Sequence, residues 1–355
     1  MTLNGSNTKK MKEATELAEF DSIFLELVED LTKDEIKNPE IADAFIWFKE
    51  VLNYNVPFGK KNRGVSVVSS YKHFIPDACE ADLRIARVLG WCVELLQGFF
   101  LVADDIMDNS LTRRGQPCWY KKDKVGLTAI NDSFFLECSI YALLKKYVKG
   151  KPYYMSVMEL FLQTTLQTVT GQCLDLTTAP PEAKVDFSQF TISRYNAIVK
   201  WKTAFYSFYL PVALAMHMAG ISDDESHIKA KTILLEMGQF FQVQDDYLDC
   251  YGAPEVIGKV GTDIEDNKCG WLIVKALEIA SDEQKEELKL SYGRWDKDAV
   301  QKVKAIYNDL HLKEVYQQFE ESSYQNLTKL INSIDSAVPK QVFLDFVHKI
   351  YKREK

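Results

Sequence analysis

Wound as a helix, residues 82–108 leave almost no polar face. Leu83, Ile85, Val88, Leu89, Trp91, Cys92, Val93, Leu95 and Leu96 lead into an unbroken apolar run from Phe99 to Ala103. A helix apolar nearly all round is buried in the centre of its domain. Segment 233–251 behaves alike, with Ile233, Leu234, Met237, Phe240, Val243 and Leu248. Elsewhere the segments between prolines run about 15 to 30 residues and lack the period-two alternation of strands. Only Pro211 interrupts an apolar helical run, where a kink is expected. Glycine (16) and proline (10) are sparse in 355 residues, which also leans toward helix. The expected fold class is all-α. The chain reads as one large domain over 1–355, with residues 1–15 a flexible N-terminus.

Both central helices end in aspartates: DDIMD at Asp104–Asp108 and DDYLD at Asp245–Asp249. On a helix Asp104 and Asp108 stand at i and i+4, on one face, and Asp245 and Asp249 repeat the spacing. Like charges so placed destabilise a bare helix, and burying them costs more unless cations neutralise them. A solvated acidic face would be the ordinary alternative. It fits poorly, because the run Phe99–Ala103, Ile106 and Met107 surround the first cluster with apolar residues. All-oxygen ligands suit magnesium or manganese and not zinc or copper. Magnesium usually completes its shell with substrate phosphate oxygens. Two acidic walls on one cavity would hold magnesium ions with a diphosphate between them.

A diphosphate site also needs fixed cations, and several stand near the motifs. Arg113 and Arg114 follow the first motif, and Lys259 and Lys268 follow the second. Gly59-Lys60-Lys61-Asn62-Arg63-Gly64 is a glycine-flanked basic loop, and Lys202-Thr203 lies inside a hydrophobic segment. The guanidinium fork suits phosphate bidentately, and lysine adds point charge. A nucleotide P-loop is excluded: Gly252 to Gly258-Lys259 has five intervening residues instead of four, and Val260 replaces the Ser/Thr.

Composition bounds the rest. A net charge of −8 argues against a general nucleic-acid binder. Seven cysteines with no CxxC spacing read as reduced thiols. No charge-free apolar run reaches the roughly 20 residues of a membrane span, and the N-terminus has no apolar signal core. A cytoplasmic protein with no membrane span is expected.

FFLVADDIMDNSLTRRGQPCWY, KTAFYSFYLP and FFQVQDDYLDCYGAPEVIGKVGTDIEDNKC resemble the short-chain trans-prenyltransferases, in particular the farnesyl diphosphate synthase family. The resemblance runs from about Asn53 to the C-terminal KIYKREK and includes both aspartate motifs in order. It implies an isoprenoid synthase fold, antiparallel helices around a deep central cavity, in a homodimer. It implies head-to-tail condensation of isopentenyl diphosphate with dimethylallyl and then geranyl diphosphate, giving farnesyl diphosphate. Carried over, Asp104 and Asp108 would bind two magnesium ions and Asp245 a third, with Asp105, Asp246 and Asp249 in support; manganese is a substitute. Arg113, Lys202, Thr203, Gln242, Lys259 and Lys268 would hold the allylic diphosphate. Lys60, Arg63, Gln97 and Arg114 would hold isopentenyl diphosphate, with Asn62 shaping that loop. Phe240, Tyr206 and the Lys202-Thr203 region are candidates for the dry wall around the carbocation. No side chain stands out as a base for the final deprotonation, so released diphosphate is the expected acceptor.

Phe99 and Phe100 lie five and four residues before Asp104, one helical turn back from the metal site. The family uses these positions to limit product length; plain core packing is the alternative. Four positions depart from the family pattern: Phe58, Gly98, Val169 and Glu354. Three alternative functions stay open: a terpene synthase on the same scaffold, a geranyl diphosphate synthase, and a non-catalytic helical partner subunit. The first would not need the isopentenyl diphosphate set, and the last would be expected to lose ligands.

Overall fold

A computed structural model describes residues 14–180, 185–253, 261–335 and 337–351. Among them regular structure is helical apart from one small hairpin, strands β1 (Thr112–Arg113) and β2 (Gln116–Pro117). The all-α expectation holds. Residues 14 and 15, expected in the flexible N-terminus, are already helical, and residues 1–13 lie outside the described residues. The chain divides into two compact units: Met1–Phe161 with Leu210–Ser222, and Leu162–Tyr209 with Asp223–Lys355.

In the first unit lie α1 (14–22), α2 (Phe24–Thr32), α3 (Ala42–Asn55), α4 (Asn62–Phe74), α5 (Glu80–Met107) and α6 (Ala129–Tyr147). It also holds the start of α7 (Tyr154–Thr178) and the helix α9 (Leu210–Met218). Helix α5 is the apolar segment anticipated at 82–108. Glu80 and Asp82 in its first turn complement the positive end of the helix dipole. It packs against α4 and α6, and Leu89, Trp91 and Cys92 are fully buried. The one polar atom of Trp91 is satisfied, its Nε1–H donating to the Phe20 carbonyl at 2.9 Å.

By length and composition α5 is apolar enough to cross a membrane, as is the stretch Gly126–Tyr147. Both stretches meet a test that admits up to two charged residues, whereas the sequence expectation concerned a charge-free run. The apolar window of α5 is 83% buried inside the protein, which is how a core helix passes the same test.

The second unit holds the rest of α7, α8 (Ile192–Val199), a π-helical segment Lys200–Tyr209, α10 (Asp224–Tyr251) and α11 (Trp271–Ile279). The helices α12 (Asp282–Ser291), α13 (Lys297–Asp309), α14 (Leu312–Ser333) and α15 (Lys340–Ile350) complete it. Tyr195, Val243, Trp271, Leu288 and Tyr307 anchor its core. Helix α10 begins earlier than its apolar run. Asp223 caps it by accepting from the Ser226 N–H, and Asp224 and Glu225 occupy the first turn.

Pro211, where the sequence suggests a kink, offers no N–H, and the residues ahead of it, Lys200–Tyr209, wind as a π-helix. This wide segment is clamped. A Cβ on Gly171 of α7 would lie 2.0 Å from the Lys202 nitrogen, and one on Gly238 of α10 would lie 2.4 Å from the Ala204 Cβ. Only glycine permits either approach.

Candidate active site

The first aspartate motif fills the last turn of α5, with Asp108 as its C-cap. A helix C-terminus carries partial negative charge, so three acids there are repelled by the backbone as well as by each other. The structure separates them. Asp105 is buried, and the Arg113 guanidinium donates to its Oδ1 from Nε at 2.9 Å and from Nη2 at 2.5 Å. Burial pushes the Asp105 carboxyl above its ordinary range, which Arg113 only partly offsets. Asp104 and Asp108 are half-buried, and Arg113 reaches Asp104 at 3.6 Å.

Arg113 and Arg114 owe their separate directions to the hairpin. Arg114 and Gly115 form its two-residue loop with φ of 54° and 77°, the geometry of a type I′ turn. Arg113 on the strand turns to the aspartates. Arg114 donates to the Asn55 carbonyl at 3.1 Å and lies over Gly59, where a Cβ would sit 2.8 Å from its Nε. Beneath the hairpin is a small open pocket lined by Tyr54, Gly98, Asp105, Arg113, Arg114 and Trp119.

The second motif lies in the last two turns of α10, again at the repelling helix end. Asp246 and Asp249 are buried and engaged from behind. Asp246 accepts from the Trp271 N–H at 2.8 Å and from Gln242 Nε2 at 2.9 Å. Asp249 accepts from the Asp263 N–H at 3.0 Å. Burial raises the Asp246 carboxyl, its hydrogen bonds offset part of that, and neighbouring Asp245 adds to it. Asp245 is half-buried. A small open pocket behind the motif is lined by Asp246, Asp249, Asp263, Lys304 and Tyr307 among others.

Three residues of the anticipated allylic set come together on the clamped π-helix and α10. Thr203 donates from Oγ1 to Gln242 Oε1 at 3.1 Å, and Gln242 passes the connection to Asp246. Lys202 donates to Asp175 at 2.6 Å, and Lys268 lies 3.5 Å from the same oxygen. Burial favours a neutral Asp175, but Lys202 and Lys268 overcome it and hold the carboxyl below its ordinary range. Asp175 was missed in the sequence: it stands 27 residues before Lys202, and no local spacing links them. Lys259 and Glu354 lie outside the described residues.

The anticipated isopentenyl diphosphate set gathers around the loop between α3 and α4. Gln97, with its amide oriented by its neighbours, donates to Glu94 at 3.1 Å and accepts from Arg63 at 2.9 Å. Glu94 also accepts from the Gly64 N–H at 2.8 Å. Burial raises the Glu94 carboxyl despite Arg63, Arg114 and Lys61 nearby. This residue had a signal: it is a lone carboxylate inside the apolar stretch WCVELLQ. Lys60 is exposed, as is Phe58 at 45%. Gly98 is not forced by packing, since a Cβ there would meet Leu136 at an ordinary 3.5 Å.

The Phe99 and Phe100 rings meet at a tilt of 39° with centroids 4.8 Å apart, a turn before Asp104; Phe99 is buried and Phe100 half-buried. Tyr206 is buried, and Phe240 is packed fully inside against Phe319.

Among the described residues no three acidic, histidine or cysteine groups converge into a ready-made metal cage. The donor set nonetheless fits magnesium, a hard ion that binds through one or two carboxylates and leaves the rest of its shell to water and phosphate. The raised Asp105 and Asp246 carboxyls are further acids whose charge a cation would offset. All seven cysteines are free of disulfides.

The polyprenyl synthetase family model matches residues 46–310. The farnesyl pyrophosphate synthase of Gallus gallus is 56% identical over 342 residues, covering 96% of this chain and 93% of that protein. Those of Homo sapiens and Saccharomyces cerevisiae are 53% and 48% identical, covering 100% and 95% of this chain and 85% and 97% of theirs. A solved structure of the Trypanosoma brucei farnesyl diphosphate synthase complexed with risedronate superposes with a TM-score of 0.85 at 31% identity. It covers 94% of this chain and 99% of its own. The chain belongs to the polyprenyl synthetase family.

Proposed function

We propose that this protein is a prenyltransferase that condenses isopentenyl diphosphate with dimethylallyl and then geranyl diphosphate, releasing farnesyl diphosphate. The relatives that carry the farnesyl synthase name at 48–56% identity support the product. The observation that carries the mechanism is the division of labour within each aspartate motif. Asp105, Asp246 and Asp249 are buried and engaged by protein donors, whereas Asp104, Asp108 and Asp245 remain half-buried. The second three are the direct metal ligands of this reading and the first three their supports. Bound magnesium, three ions per site or manganese in their place, would neutralise the allylic diphosphate as it departs.

The chain's own groups do the remainder. Arg113, Lys202 and Lys268, with Lys259, orient the allylic diphosphate and meet its growing charge. Thr203 and Gln242 fix the neighbouring polar surface. Asp175 holds Lys202 and Lys268 close together in a set direction. Lys60, Arg63, Gln97 and Arg114 hold the second diphosphate, so that the double bond of isopentenyl diphosphate faces the allylic carbon. Phe99 and Phe100 form the floor that stops the product at fifteen carbons. In this proposal residues 1–355 are one catalytic domain.

The enzyme is proposed to act as a cytoplasmic homodimer without nucleic-acid partners. Two apolar stripes support the dimer: Ile130 and Phe134 on α6, and Leu162, Leu166 and Val169 on α7, each 45% or more exposed. Val169, a departure from the family pattern, falls on the second stripe.

The test is one incubation of labelled isopentenyl diphosphate with geranyl diphosphate and magnesium, with the products separated by chain length. Farnesyl diphosphate is expected. A hydrocarbon or alcohol formed from geranyl diphosphate alone would point to the terpene synthase instead, and no turnover to a partner subunit. With dimethylallyl diphosphate as primer, product that stops at geranyl diphosphate would make it the shorter-chain synthase.

A further inference from the structure

The basic loop Gly59–Gly64 contains three cations, and one of them faces away from the substrate set. Lys61 precedes α4 in the left-handed region, with φ 50° and ψ 27°. That region is uncommon for a residue with a side chain and persists where surroundings hold it. The hold is visible. Lys61 is 11% exposed in its side chain, and its Nζ pairs with Asp21 of α1 at 2.8 Å. Asp21 is itself delivered rigidly. Its neighbour Phe20 is fully buried, stacked on Trp91 at 4.6 Å and 14°, and bonded through its carbonyl to the Trp91 indole. The Phe20 ring fills a slot between Gly64 and Gly90, where a Cβ on either would meet it at 2.6–2.7 Å. Two further pairs tie α1 to the same helices, Glu16 to Lys72 and Glu19 to Arg87.

We infer that Asp21 and Lys61 are positioning residues for the isopentenyl diphosphate subsite: their ion pair fixes the left-handed turn that aims Lys60 and Arg63. The inference rests on the function proposed above. Lys60 and Arg63 flank the turn on opposite sides, so a change of φ at Lys61 swings one relative to the other. Glu94 and Gln97 secure the Arg63 side from within α5, and Lys60 is joined directly to the turn at Lys61. Asp21 acts from the N-terminal helix, and neither member of the pair belongs to the diphosphate ligands.

The experiment compares wild type with Asp21→Ala, Lys61→Ala, the double variant and the exchange Asp21→Lys with Lys61→Asp. For each, KM for isopentenyl diphosphate, KM for geranyl diphosphate, kcat and the melting temperature are measured, and isopentenyl diphosphate binding is titrated calorimetrically. Each single variant is expected to raise the isopentenyl diphosphate KM and Kd roughly three- to tenfold, the scale of one partly screened ion pair. The geranyl diphosphate KM should stay within about twofold on the same scale. The double variant should be no worse than the worse single, and the exchange should recover most of the loss. Equal rises in both KM values, a fall in melting temperature without the split, or no change at all would overturn the inference. If wild type binds isopentenyl diphosphate without condensing it, the proposed function fails while the Kd series still decides the positioning role. If wild type binds none, both fall.

Discussion

Asp104 and Asp105 are adjacent on one helix, yet their surroundings differ. Asp105 is buried against the Arg113 guanidinium, whereas Asp104 is half-buried with Arg113 3.6 Å away. The same contrast separates Asp246 from Asp245. In each case a residue outside the motif supplies a donor, Arg113 in the hairpin and Trp271 at the start of α11, so the motif's letters alone do not say which acid is which. Glu94 was legible as a carboxylate within an apolar run, whereas Asp175 depends on two lysines brought to it by folding. Phe99→Ala with Phe100→Ser removes two rings one turn behind Asp104 and should shift the product beyond fifteen carbons. Chromatography of dephosphorylated products measures the shift, and an unchanged product length would mean the floor lies elsewhere.

Helices announce themselves in this chain through length and apolarity, and α5 and α10 fall where the periodicity puts them, with α10 extended by its cap. What periodicity does not carry is winding. Pro211 signalled a disturbance, but its form, a π-helix over Lys200–Tyr209, is set by neighbours that approach at Gly171 and Gly238. Those contacts are tertiary, and a glycine inside a helix reads from sequence only as a modest loss of propensity. The segment carries Lys202 and Thr203, so its clamp ought to matter for chemistry as well as stability. Gly171→Ala places a methyl carbon within 2.0 Å of the Lys202 nitrogen, and backbone must yield. The expected cost is about 1–3 kcal/mol of stability, with a rise in the geranyl diphosphate KM larger than that for isopentenyl diphosphate. Thermal melts and steady-state kinetics check it. Wild-type values for both would show that the close approach is not required.

Taken as a whole, the molecule is acidic, with a net charge of −8, and it acts on anions. It reconciles the two by local arrangement: cations concentrated in the Gly59–Gly64 loop, the hairpin and the π-helix, and two carboxylate triplets at the ends of buried helices. Those triplets are costly as they stand, since the helix dipole, mutual repulsion and burial all act against them. A divalent cation would relieve all three penalties at once. The decisive measurement is the magnesium dependence of farnesyl diphosphate formation in wild type, Asp104→Asn and Asp245→Asn, each first shown by thermal melting to be folded. Each single change should cut the rate by at least about a hundred- to a thousandfold at saturating substrates, the scale of losing one preorganised electrostatic group. Wild-type activity should vanish on chelation and return with magnesium. Near-wild-type turnover by either variant, or turnover that persists in chelator, would contradict this role for the cation.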